Sequence, residues 1–381
     1  MALTAHDIES LVALRHALHR HPEVSGEEHA TADRINDALA GLGAEVVIGL
    51  GGAGVAAVFD SGRPGPSVMF RAELDALPII ETGTPPWRSL VPGRGHLCGH
   101  DGHMAILTGL ARVLARARPV RGRVVLLYQP AEETGAGARA VIADPRFAAL
   151  ACDWAFAIHN MPGIAQGAAW LAPGPVNCAS LGLVLELHGK TSHASVPEAG
   201  ISPAPALARL IPALSALGTG GVPGPGYRLA TVTHARLGER ALGIAPGWAE
   251  LLVTLRANDD EGLNLMLESA RALAGAEAES AGLTPEIHVE DHFAACRNDP
   301  QATAILARAL ETSGITHTPG PLPVRASEDF GLFAAVSKTA MVFLGAGEDQ
   351  AMLHNPDYDF PDSLIAPGVR VFKAVLDEIM T

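Results

Sequence analysis

The run His96-Leu97-Cys98-Gly99-His100-Asp101-Gly102-His103 sets histidine, cysteine and aspartate side chains around two glycines, just ahead of an apolar segment with helical spacing. A thiolate and an imidazole two residues apart are a natural pair of ligands for a divalent ion. Glu132-Glu133, His159 and His354 each follow a short apolar segment. Together the four sets point to a hydrolase that works with a pair of metal ions. Adjacent glutamates can divide the labour, one binding metal while the other faces water. A metal pair acidifies water, clamps a substrate carbonyl and stabilises the oxyanion, and a spare carboxylate then carries a proton to the leaving nitrogen. Taken singly, each group has a blander reading: an isolated Glu-Glu is ordinarily solvated, and a lone cysteine is a small buried hydrophobe. The conjunction at four strand ends is what favours a metal site.

Positioning such groups requires a sheet whose strand ends converge. The first half of the sequence alternates helical periods at 6–20, 27–42 and 102–117 with strand-like runs at 55–59, 67–71, 123–128 and 153–158. This predicts an α/β domain with a mostly parallel sheet, and ligands in such sheets gather beyond the carboxyl ends of the strands. From about Ser180 the order becomes strand 181–187, helix 204–217, strands 227–234 and 248–256, helix 261–281 and strand 284–289. That is β-α-β-β-α-β, the ferredoxin-like order. The α/β pattern returns with a helix at 301–313, a strand at 339–344 and a helix at 367–380. The expected organisation is a catalytic domain of 1–176 and 291–381 interrupted by an inserted domain of 177–290, with linkers at Pro173-Gly174-Pro175 and at 297–300.

At 381 residues the chain is long enough for two domains and a sizeable core. A formal charge of −14 argues against nucleic acid as a partner, because that affinity rests on Lys and Arg neutralising phosphates. The longest apolar runs are too short to span a bilayer, and no membrane partner is expected. Residues 1–10 lack the basic start and apolar stretch of a secretion signal, so a cytoplasmic location is expected. Four scattered cysteines, Cys98, Cys152, Cys178 and Cys296, predict reduced thiols rather than a disulfide framework.

Several ordered segments resemble one known family. Arg71-Ala72-Glu73-Leu74-Asp75-Ala76-Leu77-Pro78, Cys98-Gly99-His100-Asp101-Gly102-His103, Gln129-Pro130-Ala131-Glu132-Glu133, Gly189-Lys190-Thr191-Ser192-His193-Ala194, Ser327-Glu328-Asp329-Phe330 and His354-Asn355-Pro356 are similar to motifs of the metal-dependent amidohydrolases that include hippurate hydrolase, aminoacylases and the hydrolases of indole-acetyl-amino-acid conjugates, in the clan of the aminoacylases and carboxypeptidases. The resemblance covers most of the chain. It implies a zinc-peptidase-like catalytic domain with a lid or dimerisation domain inserted. It further implies that Cys98, His100, Glu133, His159 and His354 hold two divalent ions, zinc or manganese with cobalt or nickel as options, and that Glu132 is the general base. Asp75 would orient a ligand from behind, and its bland alternative is a turn residue before Pro78. His193 would reach a partner subunit's site in a homodimer or higher homo-oligomer and polarise the scissile carbonyl; its position alone suggests an exposed loop histidine.

Asp101 and His103 are expected to shape the metal loop or cap the following helix, and His16, His19, His21, His29 and His188 to be surface or capping residues. Departures from the family pattern are Glu73 for aspartate, Thr191-Ser192 for two glycines, and Gly243 where relatives commonly carry asparagine. Arg256 could meet a substrate carboxylate, although a plain surface arginine is the simpler reading. The function that follows is hydrolysis of the amide of a small N-acyl amino acid with an acetyl, benzoyl or aryl-acetyl group. The rivals are a dipeptidase or carboxypeptidase using the same metals, and a binding protein of the same fold that has lost catalysis.

Overall fold

In a computed structural model describing residues 3–380, the chain divides into two compact units: Asn177–Cys296 with Pro323–Glu328 forms one, and the remainder of the chain forms the other. The larger unit is built on an eight-stranded sheet in the order Glu45–Leu50, Gly54–Asp60, Arg123–Gln129, Ser67–Glu73, Trp154–Pro162, Lys338–Gly347, Ala168–Trp170 and Thr316–Thr318. The four central strands run parallel. Val124-Val125-Leu126-Leu127-Tyr128 is buried along its whole length, as expected of a parallel strand covered on both faces. Helices Ala5–Arg20, His100–Arg116, Pro300–Thr312 and Ile365–Met380 contribute Leu11, Leu110, Leu306 and Phe372 to the same core as Phe70 and Phe156. Thr4 opens the first helix with a reciprocal capping box to Asp7.

Two boundaries differ from the sequence expectation in ways that matter. The helix expected from Gly102 begins at His100, so the metal-seeking residues straddle its first turn. The strand expected to end at Ile158 continues to Pro162, because His159 pairs in register with Phe343 of the parallel neighbour. His159 therefore projects from the sheet itself and not from the loop beyond it.

The second unit holds a four-stranded antiparallel sheet in the order Arg228–Leu237, Trp248–Ala257, Ala179–His188 and Thr284–Phe293. With helices Ala204–Ser215 and Asp260–Ala281, it has the ferredoxin-like order of elements. Burial alternates strictly along Trp248–Ala257, the signature of a sheet with one covered face. Leu183, Leu185, Leu251 and Val253 meet Leu210, Leu263 and Met266 of the two helices there. Asp259 caps the longer helix and Gly282 closes it in the left-handed conformation. Among the described residues, no helix is long and apolar enough to cross a membrane, and Cys98, Cys152, Cys178 and Cys296 are all unbridged and buried.

Candidate metal centre

Carboxyl ends of the central strands deliver the candidate groups to one edge of the larger unit. Asp75 lies two residues beyond the strand ending at Glu73, Glu132 and Glu133 follow the strand ending at Gln129, and His354 sits in the loop after the strand ending at Gly347. Cys98 and His100 flank Gly99, whose φ of +90° makes the turn into the helix. A Cβ at Gly99 would come within 2.6 Å of the Asn160 amide, so the turn is closed to other residues by conformation and by space.

Among the described residues the ligand-type atoms fall into five groups whose atoms lie within 4.8 Å of one another; Cys98–His100–His159 and Cys98–Glu133–His354 overlap at Cys98, and Glu132 joins His100 and Glu133 in one more and Asp329 in another. Cys98 Sγ is 3.6 Å from His159 Nε2. Glu133 carboxylate oxygens lie 3.5 Å from His354 Nε2 and 3.8 Å from His100 Nε2, and Glu132 stands 4.0 Å from His100 Nε2.

Tautomers are fixed from behind. His100 Nδ1 donates to the Asp75 carbonyl at 2.8 Å and His159 Nδ1 to the Asn160 carbonyl at 2.7 Å, which turns both Nε2 atoms to the cluster as the positions a metal would take. His100 Nε2 is buried with no hydrogen-bond partner among the described residues. A buried, unsatisfied imidazole nitrogen among carboxylates and a thiol is the donor set of a divalent cation, so these residues fit a metal pair. The electrostatics agree. Burial next to Glu133 and Glu132 pushes the Cys98 thiol well above its ordinary range, and burial beside His103 drives His159 down to about 3, keeping it neutral. Burial alone would depress His100, but Asp75, Glu73 and Glu133 raise it to about 10. A cation at this position would displace the protons from both Cys98 and His100.

Supports converge on these groups. The Asp75 carboxylate accepts Ser25 Oγ at 2.7 Å and the Glu133 backbone N–H at 2.9 Å. Asp329 accepts Gln129 Nε2 and the Ala138 N–H at 2.8 Å each, and pairs with Arg71 at 2.8 Å, bracing the loop that carries the two glutamates. Ala131 and His354 hold left-handed φ values of 49° and 66°, conformations rare outside glycine and retained where surroundings overdetermine them.

His103 completes the fifth group with Glu73 and His100, but its Nε2 already accepts the Asn160 backbone N–H at 3.1 Å while Nδ1 donates to Glu73 at 2.6 Å. It is a strut under the metal loop, as is Asp101. Glu73, the residue that departs from the family pattern, is thereby tied to both His103 and Arg71.

Corrections fall on histidines expected at the surface. His19 is fully buried, with Nδ1 2.9 Å from Asp101 and Nε2 3.3 Å from Glu81. His16 stacks on Trp87 with ring centroids 3.7 Å apart. Their partners lie far away in sequence, and no local signal marks them. His193 lies in the second unit, exposed in the short strand Ser192–His193 that pairs with Ile244–Ala245. Its Nδ1 accepts the Ser195 backbone N–H at 3.1 Å, so a neutral ring carries its proton on the outward Nε2. Arg256, in the same unit, donates to Ser327 Oγ at 2.8 Å and to the Arg325 carbonyl at 3.0 Å.

Comparison with known proteins follows this geometry. Residues 69–378 match the model of peptidase family M20/M25/M40. Hippurate hydrolase of Campylobacter jejuni is 31% identical over 94% of this chain and 94% of its own length. N-acetyl-L-cysteine deacetylase of Bacillus subtilis is 31% identical over 94% of this chain and 85% of its own. A crystal structure from methicillin-resistant Staphylococcus aureus superposes with a TM-score of 0.85 at 26% identity, covering 98% of each chain.

Proposed function

The chain belongs to peptidase family M20/M25/M40 and is a metal-dependent amidohydrolase, and we propose that it cleaves the amide bond of small N-acyl amino acids at a two-metal centre. The observation that carries this reading is the sharing of Cys98 between two ligand groups, with the Glu132 carboxylate beside them, 4.0 Å from His100 Nε2. In the proposed assignment Cys98, His100, His159, Glu133 and His354 would hold the ions. Bound there, two divalent ions supply Lewis acidity to the substrate carbonyl and lower the pKa of water.

The rest is done by the chain's own residues. Glu132 takes the proton of the attacking water and delivers it to the leaving nitrogen, a transfer its position 4.0 Å from His100 Nε2 permits at the rim of the ligand set. Asp75 holds His100 and the Glu133 backbone in register. Acyl groups of the acetyl, benzoyl or aryl-acetyl kind are proposed because a hippurate hydrolase and an acetylcysteine deacetylase are both similar along nearly the whole chain. The second unit is proposed to act as the lid and to bring two chains together. His193, exposed with Nε2–H outward, would then donate to the scissile carbonyl in a partner subunit's site.

The test is release of free amino acid from acetyl, benzoyl and indole-acetyl amino acids and from dipeptides, using chelator-stripped protein resupplied with zinc, manganese, cobalt or nickel. Metal-restored turnover on acylated substrates is expected. Turnover confined to dipeptides would replace this reading with a dipeptidase, and metal binding without any turnover would favour a binding protein.

A further inference from the structure

The first helix carries Arg15 and His19 on one face, and both are completely buried. Arg15 Nε lies 2.7 Å from Asp101 Oδ2, its Nη2 is paired with Asp359, and Nη1 is 3.5 Å from Asp362. Asp101 is also 2.9 Å from His19, and Asp359 accepts Trp87 Nε1 at 3.1 Å. One guanidinium therefore joins two segments distant in sequence. Asp101 is the residue after His100, at the start of the helix His100–Arg116, and Asp359 lies five residues beyond His354.

These are the segments that bring His100 to one ligand group and His354 to the other. The His354 segment has no helix or strand to hold it. Buried Tyr358 and Phe360 anchor its far end in the core, and Trp87 Nε1 shares Asp359 with Arg15; nearer the ligand, the His354 N–H to Leu97 carbonyl bond at 2.8 Å and the Thr82 N–H to Pro356 carbonyl bond at 2.6 Å hold it. His354 is held in the left-handed conformation and its side chain is 49% exposed, so its backbone gains by relaxing once a restraint is lost. Burying an arginine with several carboxylates is seldom a gain in stability over an apolar core. What the arrangement secures is a fixed distance between the first turn of that helix and the His354 loop.

We propose that Arg15 is a positioning residue of the metal centre: by tying Asp101 to Asp359 it sets His354 against the Cys98–His100–His159 group, and so determines whether a second ion binds tightly. The proposal rests on the two-metal reading above. Arg15→Lys keeps the charge but loses the planar fork that reaches two carboxylates at once. Asp359→Asn removes the charge at the partly exposed end of the link and leaves Arg15 paired with Asp101, which keeps the test open if the lysine variant folds poorly.

Metal-free wild type and both variants would be titrated with Co2+, following the visible ligand-field bands, with thermal melting of the metal-free forms alongside. Wild type is expected to take two equivalents. The variants are expected to take the first as wild type does and the second 10- to 100-fold more weakly, with an altered spectrum for that equivalent and melting within a few degrees of wild type. Two equivalents bound by both variants with wild-type affinity and spectrum would overturn the positioning role alone. A wild-type protein that takes no Co2+ would overturn the metal-centre reading, and this proposal with it.

Discussion

The two units solve burial differently. Along Asn177–Cys296 the buried polar residues are Asn177 and Ser180, and the two central strands, Ala179–His188 and Trp248–Ala257, alternate in burial as an antiparallel sheet with one covered face requires. In the larger unit Arg15, His19, Arg71, Glu73, Asp75, His100, Asp101 and Asp329 are all buried, most of them within ion-pair or hydrogen-bond reach of another. Charge inside a protein costs several kcal/mol per ion unless it is paired and hydrogen-bonded. Its concentration at one sheet edge marks where the fold spends stability on fixing groups in place, while the second unit, with Asn177, Ser180 and Glu328 as its buried polar residues, is organised mainly by hydrophobic packing.

That contrast can be broken by mutation. Glu132→Gln is expected to lower turnover by about 10²–10⁴-fold with metal content unchanged; an active variant would remove Glu132 as the base. His193→Ala should lower kcat by roughly 10²–10³-fold if its Nε2–H meets the developing oxyanion. Mixing that variant with Glu132→Gln protein should then restore activity, and mixed oligomers without any rescue would count against a shared site. Leu183→Ala, in the core of the second unit, should cost about 2–5 kcal/mol in denaturant unfolding while leaving the number of bound metals as in wild type. If metal binding fell as well, the division of labour between the units would not hold.

Asp75→Asn should weaken metal affinity or activity by about 10- to 100-fold, read by competition with a chromogenic chelator. The smallest effect concerns His19. Burial opposes its charge, yet Asp101 and Glu81 raise its pKa to about 9, above the ordinary value of 6.5. A raised folded pKa contributes stability that is full below about pH 6.5 and is lost as pH rises through about 9. The stability gap between metal-free wild type and His19→Gln should therefore narrow from pH 6.5 to 10, and a gap constant across that range would show that His19 is not charged in the folded protein.

How much of this was legible in the sequence depends on where each partner lies. The run 123–128 reads as a buried strand and 248–256 as another strand, because each signal is contained in its own few residues. The ligand types at 98–103 and 132–133 are legible for the same reason. Arg15 and His19 were not, since what draws them inward is Asp101, Glu81 and Asp359, and a helical period records spacing but not which polar residue will find a buried partner. The strands Glu45–Leu50, Ala168–Trp170 and Thr316–Thr318 escaped notice because the first is half-exposed on an edge and the others are too short to establish a period. The segment Pro323–Glu328 groups with the second unit through pairings such as Asn177 with Val324 and Ser180 with Ser327, which nothing within six residues announces.

The sharing of Cys98 between two ligand groups also bears on when the centre can form during synthesis. Cys98, His100 and His159 all precede the second unit along the chain, whereas His354 follows it. Domains fold largely as units, and the larger unit is completed only by its last stretch, with Lys338–Gly347 beside the strand that carries His159, so both groups would take shape together, late in synthesis. The last stretch of chain to appear would then complete the centre as a whole.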